Sequence, residues 1–318
     1  MRIIFIGTAG IAVPSLRRIL NEGRDEVVAV VTQPDRPAGR NRRLTACPVR
    51  RFAEEWGLKV LAPEKVGAPE SVAVLAALQP DLFAVAAYGQ YIPECVLSIA
   101  RLRGVNLHPS LLPKYRGAAP IQQALIEGEM VTGISIIEVA REMDAGDIFL
   151  QEPFPIGPED TAGTLHDKLA EFGAGLLFRV IRQLEAGATQ RRPQAAEAAT
   201  FTMKLKKSEG VLDWRQSAEA LRNRIRGVTP WPGATCSMPG LEQPLKILQA
   251  MVEPGCGEPG MVLAADATGL LIACGQGALR LQQVQPPGKK PMSGSAFLNG
   301  FRLQPGSRLY LNSGASGH

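Results

Sequence analysis

The feature that most constrains this chain is the alternation of short apolar runs with amphipathic segments through its first half. RIIFI (Arg2–Ile6) ends at Gly7 as a buried strand feeding a turn should, and EVVAVVT (Glu26–Thr32), DLFAVAA (Asp81–Ala87) and GVNLH (Gly104–His108) have the same texture. Between them, helical periodicity runs over Val13–Leu20, Val49–Gly57, Ser71–Leu78 and Ala119–Glu127, with a short strand near Lys59–Leu61. TGISIIEV (Thr132–Val139) and DIFLQEPF (Asp147–Phe154) read as later strands, and a long helix over Thr161–Glu185 follows. Strand–helix alternation of this kind predicts an α/β, doubly wound (Rossmann-like), mostly parallel sheet with helices on both faces.

The texture changes at Ala186–Ala199, where GATQRRPQAAEAA is small and polar without apolar periodicity. Beyond it one helix (Ala218–Arg226) precedes PLKILQAMV, GMVLAA, GLLIACG and ALRLQQVQ, separated by PG, GEPG and PPG turns. Those runs predict a small C-terminal β-barrel. The domains expected are 1–187, a linker over 188–206 and a second domain over 207–318. At 318 residues and 45% hydrophobic content, the chain can bury two cores and is not globally disordered.

Charge divides the same way. Residues 201–318 hold 13 Lys+Arg against 7 Asp+Glu, while residues 1–200 are nearly balanced at 22 against 23. A basic rear domain behind a neutral front suggests a catalytic unit joined to something that meets a polyanion. QPDRPAGRNRRLTACPVRR adds six arginines between Arg36 and Arg51 with no acid among them, and Pro37 and Gly39 predict an irregular loop there. RNA phosphates are the natural partner for such a loop. The five cysteines are scattered with no CxxC pair and histidines number three, so neither a disulfide framework nor a metal site is expected. No apolar run is long enough for a membrane helix, and the N-terminal stretch lacks a secretory pattern, so a cytoplasmic protein without a membrane partner is expected.

Chemistry is expected at strand ends. Asn106 and His108 close GVNLH at i, i+2 and so share one face of their strand. The next loop, PSLLPKYRGAAP, presents Leu111 and Leu112 between Pro109 and Pro113 as a stiff apolar wall. MDAGD (Met143–Asp147) carries Asp144, a carboxylate able to act as base or to hold a histidine's tautomer and charge. Amide, imidazole and carboxylate supply oxyanion donors and a proton acceptor without a hydroxyl or thiol nucleophile, which suits direct attack of a substrate amine on a carbonyl. GTAGIAVP (Gly7–Pro14) lacks the GxGxxG order, and Thr32-Gln33-Pro34 replaces the acidic residue a dinucleotide would need, so a nicotinamide reading is weak.

NLHPSLLPKYRGAAPIQ (Asn106–Gln122), with MDAGD downstream, resembles the signature of the folate-dependent formyltransferase family. QPDRPAGR, TPWPGA (Thr229–Ala234) and PPGKKPMSG (Pro286–Gly294) narrow the likeness to its tRNA-directed members, over nearly the full length. The resemblance implies formyl transfer from 10-formyltetrahydrofolate, a co-substrate, to methionyl initiator tRNA, with no metal, by a monomer. It places Asn106, His108 and Asp144 on the family's catalytic positions. It also implies folate contacts from Ser110, Leu111, Leu112 and Pro113 and from Tyr88, Gly89, Gln90 and Ile92. Arg40 matches a loop arginine that meets tRNA; Arg42, Arg43, Lys204 and Lys207 are phosphate contacts by charge. The second domain is then an oligonucleotide-binding-like (OB-like) barrel cradling the acceptor arm. Two departures stand out: Ala9 replaces the proline of the usual GTPxFA turn, and NSGASGH after Leu311 matches nothing and reads as disordered. The alternatives are formyl transfer to a nucleotide sugar or to glycinamide ribonucleotide, a non-catalytic RNA-binding protein, and a dinucleotide oxidoreductase.

Overall fold

The computed structural model describes residues 1–38, 43–301 and 303–310, with backbone alone at Pro37, Ala38 and Arg43. The C-terminal NSGASGH stretch lies outside the described residues. The chain divides into two compact units, one of 1–120, 131–155 and 166–203, the other of 121–130, 156–165 and 204–318.

In chain order the elements up to the long helix are β1 (Arg2–Gly7), α1 (Val13–Glu22), β2 (Glu26–Val31), β3 (Arg36–Ala38), β4 (Arg43–Thr45), α2 (Pro48–Glu55), β5 (Val60–Leu61), α3 (Pro69–Ala77), β6 (Leu82–Ala86), α4 (Glu94–Leu97), β7 (Gly104–His108), β8 (Arg116–Gly117), α5 (Pro120–Ile126), β9 (Val131–Glu138), β10 (Ile148–Pro155) and α6 (Ala162–Glu185). Seven strands form the first unit's main sheet in the order β10-β9-β7-β6-β1-β2-β5. The five on the β5–β7 side pair in parallel, and β9 and β10 are antiparallel. Ile4, Ile6, Val31, Phe83 and Val85 are buried in one cluster with Leu75 of α3 and Val96 and Leu97 of α4. Each such side chain contributes roughly 1.5–3 kcal/mol by leaving water. Helix α6 covers Leu107 of β7 and Ile134 of β9 at Gly173, where an added Cβ would lie 2.7 Å from Leu107 Cδ1 and the leucine would have to shift.

The arginine-rich loop departs from expectation. Among the described residues β3 and β4 pair as a short antiparallel ribbon, with Pro37 opposite Leu44. A two-stranded ribbon keeps an open edge on each strand, where a residue lacking an N–H is tolerated. Pro37 therefore does not forbid regular structure.

Strand β11 (Phe201–Thr202) belongs to the first unit, and the second unit adds α7 (Ala218–Val228), β12 (Ala234–Cys236), β13 (Leu245–Glu253), β14 (Val262–Asp266), β15 (Gly269–Ala273), β16 (Ala278–Gln285), β17 (Met292–Ser293) and α8 (Gly294–Leu298). Ser217 caps α7, accepting from Ala220 N at 3.2 Å. All the strand pairs of this unit's sheet are antiparallel, in the order β12-β13-β16-β15-β14 with β17 on β16. Among the described residues β12 and β14 do not pair, so the sheet is open where a closed five-stranded barrel was expected. Buried in this sheet is the charged Arg280, which donates to Glu253 (2.9 Å), Asp266 (3.3 Å) and Gly269 O (3.0 Å).

Candidate active site

Strand β7 builds the site by alternation. Leu107 points to α6, so Asn106 and His108 emerge on the opposite face. Both meet Asp144: Asn106 Nδ2 donates to Oδ1 at 3.4 Å, and His108 Nδ1 lies 3.5 Å from Oδ2. His108 is 4% exposed, and its Nε2 is 2.9 Å from Tyr115 O. A carbonyl only accepts, so Nε2 carries the proton. Nδ1 then faces a carboxylate, an arrangement that the imidazolium satisfies on both sides and the neutral ring on one. Neither ring nitrogen faces a hydroxyl or thiol, so this histidine is not placed to activate a protein nucleophile. The side-chain contacts with Asp144 are at the long limit for hydrogen bonds, which leaves both donors room to engage a bound group.

Asp144 reaches the pair by an unexpected route. Because β9 runs antiparallel, Glu138 at its end lies opposite Val105 at the start of β7, not at the carboxyl end of that strand. The 139–147 loop must then return to bring Asp144 to Asn106 and His108. Two features fix its path. Asp144 has φ +53°, a left-handed conformation that Asp tolerates better than most residues. A Cβ at Gly146 would lie 1.9 Å from Glu138 O, so glycine is required there. The carboxylate is anchored by Gly117 N, which donates to Oδ2 at 2.9 Å.

The 109–117 loop is pinned by polar bonds. Ser135 Oγ donates to Ser110 O (2.7 Å) and accepts from Leu112 N (3.1 Å), and Gln151 Nε2 donates to Leu112 O (2.8 Å). Ser110 is buried with its hydroxyl on Lys114 O, Leu112 is buried with Ile137 and Ile148, and Leu111 and Pro113 are half-buried. The apolar wall is thus half core. At the 87–93 turn the Ala87 carbonyl accepts from Thr8 N (3.2 Å) and Ala9 N (3.4 Å), and Ala87 (φ +46°) and Gly89 (φ +80°) are exposed. Tyr88 and Ile92 are buried beneath them in the apolar cluster. Burial pushes the Tyr88 phenol up to about 12, while its carbonyl accepts from Thr8 Oγ1 (3.0 Å) and Gln33 Nε2 (2.8 Å). Gln90 is half-buried with Nε2 toward Glu64 O at 3.4 Å.

The structure therefore brings Asn106, His108 and Asp144 together. Arg40 and Arg42 lie outside the described residues, as does the Arg43 side chain. Lys204 and Lys207 are exposed on the second unit. Among the described residues no cluster of three or more His, Cys, Asp or Glu is arranged to hold a metal, and no helix is long and apolar enough to cross a membrane. Sequence reasoning missed Gly117, Arg116 and Gln194. The glycines in RGA and DAG were a signal for close backbone approach; a single glutamine in a polar stretch offered none.

Comparison with known proteins bears on the whole chain. Residues 1–181 match the family described as formyl transferase, and residues 204–302 match the formyl transferase C-terminal domain. The methionyl-tRNA formyltransferase of Geobacter metallireducens is 43% identical over 309 residues, spanning 97% of this chain and 98% of that protein. The protein of the same name from Desulfotalea psychrophila is 45% identical over 303 residues, 95% of this chain and 94% of its own. Among solved structures, WlaRD, a sugar 3N-formyl transferase with dTDP and 5-N-formyl-THF, superposes with TM-score 0.66 at 18% identity over 91% of this chain and 99% of that one. HypX from Aquifex aeolicus with tetrahydrofolic acid gives 0.63 at 19%, over 95% of this chain and 47% of that one. At such identities these structures speak to the fold alone.

Proposed function

The chain belongs to the formyl transferase family, and from that premise we propose that it moves a formyl group from 10-formyltetrahydrofolate to the α-amino group of methionine on initiator tRNA. It is a one-carbon group transferase serving translation initiation. The observation that carries the chemistry is the meeting of the Asn106 amide and the His108 imidazole on one carboxylate, Asp144.

In the proposed reaction the amine nitrogen adds to the formyl carbon, whose oxygen becomes an oxyanion. The bond from that carbon to N10 then breaks, the formyl group stays on the amine as an amide, and N10 leaves with a proton. The amine loses one proton and N10 gains one, so the transfer is proton-neutral. Asn106 Nδ2 and His108 Nδ1 are the donors for the oxyanion, because Nε2 is committed to Tyr115 O and the Nδ1 contact with Asp144 is long. Asp144 holds the charged ring and takes the amine's proton, directly or through water. Removing one such donor costs about 10²–10³ in rate.

The folate would lie between the 87–93 turn and the 110–113 loop. The fit is chemical: the exposed backbone of Gly89 over the buried Tyr88 and Ile92 suits a flat heteroaromatic ring rich in donors and acceptors. Ser110, Leu111, Leu112, Pro113 and Gln90 complete the proposed lining. The tRNA would be held by Arg40, Arg42, Arg43, Lys204 and Lys207 and by the basic 207–318 domain, joined through 188–206 to the catalytic 1–187. A monomeric state and a cytoplasmic setting belong to the same reading.

The test is incubation with 10-formyltetrahydrofolate and methionyl initiator tRNA, with elongator methionyl-tRNA as control. Formyl-methionine on the initiator alone is expected. No transfer to either, or transfer to a nucleotide sugar instead, contradicts the reading. Affinity for tRNA should also fall steeply as salt rises. Lys204→Ala with Lys207→Ala should flatten that slope by roughly 0.7–0.9 for each phosphate the protein ceases to neutralise.

A further inference from the structure

Gln194 bridges the two segments that meet at the Asp144 carboxylate. Its Nε2 donates to Asp144 O (2.8 Å) and Gly146 O (2.7 Å), clamping the loop on either side of Ala145. Its Oε1 accepts from Arg116 Nη2 (2.7 Å) and Nε (3.1 Å). Arg116 is 7% exposed and is the chain neighbour of Gly117, whose N–H holds the Asp144 carboxylate. The bonds thus close a ring: Asp144 carboxylate to Gly117, along the chain to Arg116, across to Gln194 and back to the Asp144 carbonyl. Both the backbone and the side chain of one left-handed residue are fixed by a single circuit, and the bond to β7's donors is left loose.

A ring of this kind does more than fold the loop. Phe201 and Thr202 pair with Arg116 and Gly117, and Thr200 Oγ1 accepts from Tyr115 N at 2.8 Å, so the 109–117 loop has its own attachments that do not pass through Gln194. Gln194 is what ties the 143–147 loop to the Arg116 side chain. We infer that Gln194 is a positioning residue for formyl transfer: held by Arg116, it sets where the Asp144 carboxylate stands against Asn106 and His108. The inference rests on the reading of Asp144 as part of the formyl-transfer site. A displacement near 1 Å at such a group costs about 10²-fold in rate.

Gln194→Glu is the incisive variant. A carboxylate keeps the pairing with Arg116 but has no proton for the Asp144 and Gly146 carbonyls, so it cuts one half of the bridge. The assay is steady-state formyl transfer with both substrates varied, alongside the thermal midpoint, for the wild type, Gln194→Glu, Asp144→Asn and the double variant. The expected result is a kcat about 10–100-fold lower in Gln194→Glu with both KM values within about twofold. In the Asp144→Asn background the same change should cost less than about twofold, because its effect passes through the carboxylate. Gln194→Ala, which removes both halves, should follow the same order and serves if the glutamate variant folds poorly. Full activity in Gln194→Glu, or an undiminished loss in the Asp144→Asn background, overturns the inference while leaving the site intact. Full activity in Asp144→Asn overturns the reading of the site itself, and the inference with it.

Discussion

Two of the clusters that the molecule builds around charge are assembled in opposite ways. At Arg280, on β16 of the second unit, the guanidinium donates to two carboxylates and a carbonyl at 2.9–3.3 Å. The hydrogen bond to Glu253 holds it above the usual guanidinium range. At Asp144 one firm bond, from Gly117 N, is accompanied by side-chain contacts of 3.4 and 3.5 Å. The first cluster saturates its donors within regular strands. The second hangs a carboxylate on a left-handed loop residue and leaves an amide and an imidazole loosely engaged. Saturation stabilises a fold, whereas donors that a substrate can still complete are what a transition state requires.

That contrast is open to attack. Outside the Asn106, His108 and Asp144 side chains themselves, the largest effect is expected at Gly146→Ala. The added methyl would meet Glu138 O at 1.9 Å, so the loop must shift and formyl transfer should fall by about 10²-fold, read as kcat. Activity within a few-fold of wild type would mean that the loop's path is not what places Asp144. Next, Arg280→Met should lower unfolding stability by about 2 kcal/mol in a denaturant titration, less than for a fully buried pair because Asp266 is half exposed. Its kcat should be unchanged within twofold; a large loss of kcat with stability intact would dissolve the distinction between the clusters. The smallest effect is at Thr268→Val. Hydrogen bonds from Thr268 first, and then the Arg280 charge, hold the Asp266 carboxyl below its ordinary value. Its contribution is therefore present above the unfolded carboxylate range and fades as pH falls through the folded value. Removing the hydroxyl should move the Asp266 midpoint upward in an NMR titration without altering formyl transfer.

Hydrophobic patterning made most of the first unit readable. Runs such as RIIFI and DLFAVAA became central strands because both their faces are buried. Asn106 and His108 could be paired from period-two alternation alone. What pattern could not supply was direction: nothing in TGISIIEV says that β9 runs antiparallel, so the return of the 139–147 loop that carries Asp144 to Asn106 and His108 could not be read from it. Strands as short as Arg116–Gly117 and Phe201–Thr202 leave no periodicity. Bonds from a side chain to a distant carbonyl, such as those of Gln194, are invisible to composition and spacing. In the second unit the turns at PG, GEPG and PPG marked the strands well, but closure of a sheet depends on how its first and last strands meet, which local sequence does not encode.

The measurement that bears most directly on the account is the single-turnover rate of formyl transfer for Asn106→Ala and Asp144→Asn with both substrates saturating. A fall of about 10²–10³ in each, with folate affinity and thermal midpoint held near wild type, is the predicted result. Rates within a few-fold of wild type in either variant would contradict it.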